Sequence, residues 1–248
     1  MIQDGAAPAL ISPDGRWWWD GQHWRSRLVE GRLDLFWFTT SPEWSARVVV
    51  TGLIGLIPIV GAINLLGWTL TATDMVRSGW KELPPAGFQY LERGVNPFVV
   101  SLLYGLAVFA SLIVLGVVTV LLATSGRTQA VLAIVLGVLL FLLAVASWLA
   151  SLYLFAALLL ASDRLGITKV LDPRRLVALA RVNHDVSLRV ALVYGASSLI
   201  YTAIAVGVGL FIPFGGLVVA IGLPAVYAIL VPWLSAFGVE TAPGPTPS

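Results

Sequence analysis

The chain has 248 residues, 58% hydrophobic and only 11% charged, with a formal net charge of +2. Soluble domains carry roughly 25% charged residues, so a mean hydropathy of +0.90 excludes an ordinary soluble fold, and so small a net charge gives no ground for nucleic-acid binding. There are no cysteines, which excludes disulfides, thiolate catalysis and cysteine-ligated metals; the two histidines, His23 and His184, lack ligand spacing.

Residues 1–32 read as a cytoplasmic tail holding a tryptophan-rich module. Asp20-Gly21 lies between aromatic arms, and such a pair favours the two-residue turn of a small β-hairpin because both central positions need positive φ. A lone two-stranded hairpin is marginal in water. Trp17, Trp18, Trp19 and Trp24 are therefore expected to pack on the membrane interface, on the bundle or on a partner protein, the alternative being a small self-packed module. The Trp-Trp-Asp-Gly…Trp core resembles the short modules found at the ends of many actinobacterial membrane proteins, a resemblance that implies lineage and no chemistry.

Long apolar runs follow, in a domain expected to occupy residues 33–239. A spanning helix needs roughly 20 apolar residues, and lipid demands that backbone groups be satisfied internally. These runs are far too apolar for a porin-type barrel. The sequence predicts helices over about 97–124, 129–162, 190–211 and 216–238. The run 48–72 is interrupted by Pro58, and charge decides how it is read. If it turns back at Pro58–Gly61 as a hairpin with arms 42–57 and 59–78, fourteen of the fifteen Lys and Arg face the cytoplasm and only Arg127 lies outside, as the positive-inside rule requires. Ser41 is the expected N-cap and Pro42 the first helical residue of the first arm. Both arms are short, so the hairpin is either spanning or re-entrant. Ile57-Pro58, Gly61 and Gly67 recur at an offset of 155 as Ile212-Pro213, Gly216 and Gly222, which supports a turn at each proline. The expected fold is an all-α polytopic membrane bundle of about six embedded helices. Residues 240–248 form a Pro-rich tail expected to be disordered.

Leu33-Asp34-Leu35-Phe36, Pro42-Glu43-Trp44, Ile57-Pro58-Ile59-Val60-Gly61, Leu66-Gly67-Trp68 and Gly79 with Leu83-Pro84 follow one order. In this the chain resembles the multi-pass membrane family catalogued as domain of unknown function 4013. That family shows a Gly-Tyr followed by a basic stretch; here Trp68 replaces the tyrosine, and Thr71, Ala72 and Thr73 make the stretch less basic. The resemblance implies a bacterial or archaeal integral membrane protein and supplies no activity.

Residues 172–185 are amphipathic at helical spacing. Arg174, Arg175, Arg181, His184 and Asp185 share one face, and Leu176, Leu179, Ala180 and Val186 the other. Asp172 as N-cap and Pro173 behind it mark the start. Such a helix beside a span lies in the interface and attracts anionic lipid, unless it docks a cytoplasmic partner. Within 97–124, 129–161 and 190–237 there is no Asp, Glu, Lys, Arg or His, which argues against a proton-coupled transporter. Asn64 is the one strongly polar side chain deep in a run and is expected to bond between helices. Gly207, Gly209, Gly215 and Gly216 lack the Lys-Ser/Thr of a P-loop, and Asn183-His184-Asp185 on a surface helix cannot converge on a substrate.

No catalytic, cofactor or metal residues are therefore expected. The leading expectation is a non-enzymatic structural or accessory protein of the plasma membrane, both termini cytoplasmic, that contacts the bilayer and a protein partner or a second copy of itself. The alternative is a small-solute transporter with a cavity at the Pro/Gly-broken hairpins. Single cysteines introduced at Ser125 and at Ser78 should label oppositely with an impermeant reagent; equal labelling would contradict the hairpin topology.

Overall fold

Helix explains nearly all of the backbone beyond residue 35. The computed structural model describes residues 17–19, 24–26, 35–80, 82–124, 127–212 and 215–239. Helices α1 (Trp44–Gly55) and α2 (Val60–Arg77) form one hairpin, α3 (Leu91–Thr124) and α4 (Arg127–Leu165) a second and longer one. Short α5 (Ile167–Val170) and amphipathic α6 (Pro173–Val182) lead into α7 (His184–Phe211), after which α8 (Gly215–Ala220) and α9 (Leu223–Ala236) run back.

Among the described residues, three helices are long and apolar enough to cross a membrane: Leu91–Thr124, Val131–Leu165 and His184–Phe211. Apart from Val95 on α3 and Leu188 on α7, their exposed large apolar side chains run from Leu102 to Leu121 on α3, from Val131 to Leu149 on α4 and from Leu192 to Phe211 on α7. At 1.5 Å per residue each stretch covers about 30 Å, the thickness of a bilayer's hydrocarbon core. Beyond these stretches the same helices turn inward. Leu152, Ala156, Ala157, Leu159 and Leu160 of α4 are buried, and most of them join Leu70, Val100, Leu176, Val190, Leu230 and Phe237 in the main core.

The expectation of about six membrane-embedded helices is not met by length. α1 has 12 residues and α9 has 14, so they extend only about 18 and 21 Å. The expected span 216–238 is broken at Ile221–Gly222 into α8 and α9. Two features meet there: Pro224 sits in the first turn of α9, and α1 presses on the break, because a methyl group built on Gly52 would overlap the carbonyl of Ile221. The internal echo therefore holds less well than the sequence implies. Gly67, the counterpart of Gly222, lies inside an unbroken helix.

The α1–α2 turn is tight. Val60 donates its N–H to the Pro58 carbonyl at 2.7 Å, with Ile59 at φ 65°, ψ −60°. Positive φ is strained for a β-branched residue, and Pro58 cannot share it because its ring fixes φ. The expected N-cap is displaced: α1 starts at Trp44 behind Glu43 at φ 54°. The Ser41 hydroxyl instead accepts the N–H of Leu83 at 3.0 Å. That bond and Arg47 donating to the Leu83 carbonyl fasten the segment between α2 and α3 to the entry of α1. Trp37 donates to the Ala228 carbonyl at 2.9 Å and belongs to a second core with Trp68, Leu65, Leu83, Tyr90 and Val231.

α2 crosses α3 by backbone contact. A methyl on Gly67 would overlap the Tyr90 carbonyl, and one on Gly94 the Ile63 carbonyl. This crossing lies eight residues, about 12 Å, before the lipid-facing stretch of α3 begins at Leu102. The first hairpin therefore packs on the end of the spans.

At the N-terminus, β1 (Trp17–Trp19) and β2 (Trp24–Ser26) pair antiparallel with Trp19 across from Trp24. A two-residue turn at Asp20-Gly21 would have set Trp19 across from Gln22. The observed register is two residues away and sets Trp19 across from Trp24. Residues 20–23, and the expected tail 240–248, lie outside the described residues.

Gly94→Ala should destabilise the protein by about 2–4 kcal/mol, because backbone has to move at the crossing. Thermal unfolding in mild detergent measures this; a change within 0.5 kcal/mol, the ordinary surface range, would contradict the close approach.

Candidate functional site

Four helix ends meet at one end of the bundle, and each brings a charge or a set of carbonyls. The last turn of α2 carries Asp74 and Arg77, the first turn of α3 Arg93, and the last turn of α4 Asp163 and Arg164. Arg93 lies between the two acids. Its Nε and Nη2 donate to both oxygens of Asp163 at 3.0 and 2.8 Å, and Nη2 also donates to Asp74. Arg164 reaches Asp74 from α4 at 3.3 Å.

Arg77 turns toward α9. Its Nε donates to the Ser235 carbonyl at 2.9 Å, and its Nη2 to those of Leu234 and Phe237 at 3.0 and 2.8 Å. They lie at the end of α9, where carbonyls lack a full set of helical partners, and the negative end of the helix dipole favours a cation there. Asn183 makes a matching clasp between α6 and α7. Its Nδ2 donates to the Gly238 carbonyl at 2.9 Å, and its Oδ1 accepts the Gly238 N–H at 3.0 Å.

Burial alone would raise the Asp74 carboxyl, but the hydrogen bond and charge of Arg93, with the charges of Arg77 and Arg164, hold it below the usual carboxylate range. Asp74 is thus held in its charged form. Arg93 meets its own burial with bonds to Asp163 and Asp74. Among the described residues no group of three or more His, Asp or Glu has the arrangement of a metal site.

The residues singled out from sequence fall in separate places. Trp17, Trp18, Trp19 and Trp24 lie in the paired strands. Arg174, Arg175 and Arg181 are exposed on α6, which starts as expected, with Asp172 accepting the Arg174 N–H at 2.9 Å behind Pro173. Two expectations for this segment change. The helix stops at Val182, because Asn183 leaves it to bind Gly238, and His184 and Asp185 open α7. Its apolar face meets protein where lipid was expected: Leu176 and Ala180 are buried in the main core. Arg174 and Arg181 line an open cleft of about 450 Å³ with Pro173, Val177 and Ala178; Arg175 is not part of it.

Asn64 is buried, but its partner is not another helix. Nδ2 donates to the Gly87 carbonyl at 3.0 Å in the segment between α2 and α3. Asn64 Oδ1 and Thr51 Oγ1 are buried and have no hydrogen-bond partner among the described residues. Asp74 and Arg77 enter the cluster, where the Arg77 side chain is 7% exposed. Asp163 and Arg93 carried one usable sequence signal: each stands where an apolar run ends, on the same predicted side as Asp74.

A family model described as "Protein of unknown function (DUF4013)" matches residues 50–214, more than half of the chain. No curated protein and no solved structure matches it.

The stability held by Asp74 is fully present above the ordinary carboxylate pKa of about 3.9 and is lost as pH falls through the depressed folded value. Unfolding temperature in detergent should therefore be flat from neutral pH to about pH 5 and fall below pH 4, and Asp74→Asn should flatten the acid limb. An unchanged acid limb in that variant would contradict the pairing.

Proposed function

We propose that this chain, which belongs to the DUF4013 family, is a non-enzymatic accessory protein of the bacterial plasma membrane that presents a cytoplasmic docking end to other proteins. The observation that carries the reading is the charged cluster itself. Buried ionisable groups in an enzyme are tuned toward a reactive state, whereas Asp163 is paired with Arg93, and Asp74 with Arg93, Arg77 and Arg164. In this reading α3, α4, α7 and the broken pair α8–α9 cross the bilayer, and the α1–α2 hairpin enters from the cytoplasmic side without crossing. The helix ends that meet at the cluster then face the cytoplasm, together with both chain termini and all Lys and Arg except Arg127. On that face Phe36, Trp80 and Phe88 are exposed, and an open cleft of about 690 Å³ lies among Thr40, Pro42, Ser78, Gly79, Trp80 and Glu82. The tryptophan-rich strands are tethered to this face and supply the adjustable part of the docking surface.

A second reading is passage of a small neutral solute. It is favoured by the unpartnered Thr51 and Asn64 oxygens on a hairpin packed against the break at Ile221–Gly222, since half-broken helices line transporter sites. Proteoliposomes that swell in small polyols no faster than empty vesicles would remove it.

Deleting residues 1–30 should leave membrane insertion intact, because every candidate span lies downstream. Partners recovered from native membranes at low detergent should be lost, or the protein's abundance should fall. A truncated protein that keeps the same partners at the same level would overturn the docking role of the tryptophan strands.

A further inference from the structure

We infer that α6 holds the headgroup of an anionic phospholipid, with Arg174 and Arg181 as its cationic contacts and Val177 and Ala178 as the floor between them. The inference rests on the membrane placement proposed above and adds a specific ligand to it.

Depth is the first support. Tyr104, two residues inside the lipid-facing stretch of α3, donates to the carbonyls of Val170 and Leu171 at 3.1 Å each. That pins the chain entering α6 at the edge of the hydrocarbon. Tyr153, four residues beyond Leu149 where the lipid-facing stretch of α4 ends, donates to the Ala180 carbonyl at 3.2 Å and lies 3.0 Å from His184 Nδ1. The other end of α6 is thereby held about one helical turn from the same boundary. The helix runs along the interface at the level where phosphates lie.

The outward face is the second. With Leu176 and Ala180 turned into the core, residues 174, 177, 178 and 181 form the opposite stripe at i, i+3, i+4 and i+7 spacing. The two guanidiniums start from positions about 10.5 Å apart along the axis, on either side of a small apolar floor. An acyl chain or glycerol backbone suits that floor, and phosphate oxygens suit the planar guanidinium forks. Charge is the third. Arg174 and Arg181 make no ion pair among the described residues, where the arginines that do so are Arg77, Arg93 and Arg164. Exposed Arg189 stands three residues before Leu192 on α7 and adds to the positive potential at the same depth.

The full chain, placed in nanodiscs of mixed phosphatidylglycerol and phosphatidylcholine and released for native mass spectrometry, tests this. Phosphatidylglycerol should be retained preferentially. Losing one arginine near a charged surface lowers retention about fivefold; Arg174→Gln and Arg181→Gln should each do so and the double variant multiply the losses, while Arg175→Gln should change retention less than twofold. An excess of inorganic phosphate should not displace the lipid. Equal retention of both lipids, an Arg175→Gln loss as large as that of Arg174→Gln, or displacement by phosphate would each overturn the site. None of these outcomes bears on recovery of protein partners, which tests the docking role separately.

Discussion

Arg93 sets the geometry on which the other helices depend. One guanidinium at the start of α3 accepts the charge of both Asp74 and Asp163, which fixes the last turns of α2 and α4 against it. Three arginines face two aspartates here, and the excess is met by the carbonyls that end α9, which accept from Arg77. Neither part suffices alone. Removing one partner from a partly buried network leaves the others desolvated without compensation, so the cluster behaves as a unit that specifies one arrangement of helix ends.

From that anchored end the helices diverge in role. Near the cluster they are packed by a core that includes Leu159, Leu160, Leu230 and Phe237; farther along, α3, α4 and α7 expose apolar side chains over about 30 Å each. Protein contacts thus hold one end, and lipid is the natural solvent for the rest. Tyr104, Tyr153 and Asn183 extend the anchored end outward, fastening α6 to α3, α4 and the end of α9. Near this end, side chains meet backbone groups that helix leaves open: Ser41 for Leu83 and Asn64 for Gly87 between α2 and α3, and Trp37 for Ala228, four residues before Pro232 inside α9.

Sequence made the long spans legible because their signal is local: twenty apolar residues in a row have few other readings. The turn at Pro58, the start of α6 at Asp172-Pro173 and the family relationship were legible for the same reason. Amphipathicity located α6 but could not say what its apolar face meets, since Leu176 and Ala180 suit lipid and protein core equally. The break at Ile221–Gly222 was hidden, because one of the features that meet there, Gly52, lies far away in the chain. The charged cluster was hidden most deeply. Its pairs span 19, 70 and 90 residues, and Arg77 reaches α9 across 157 or more. No window along the chain contains such a pair, and charge counting assigned these residues a side of the membrane without partners.

The central claim is that Arg93 and Asp163 act through each other to hold α3 against α4. A double-mutant cycle with Arg93→Gln, Asp163→Asn and the combined variant, read as unfolding free energy in one detergent, measures that directly. The account predicts a coupling of about 1–3 kcal/mol, with the second substitution costing far less once the first is present. Losses that add within about 0.5 kcal/mol would contradict it and leave the bundle's end held by packing alone.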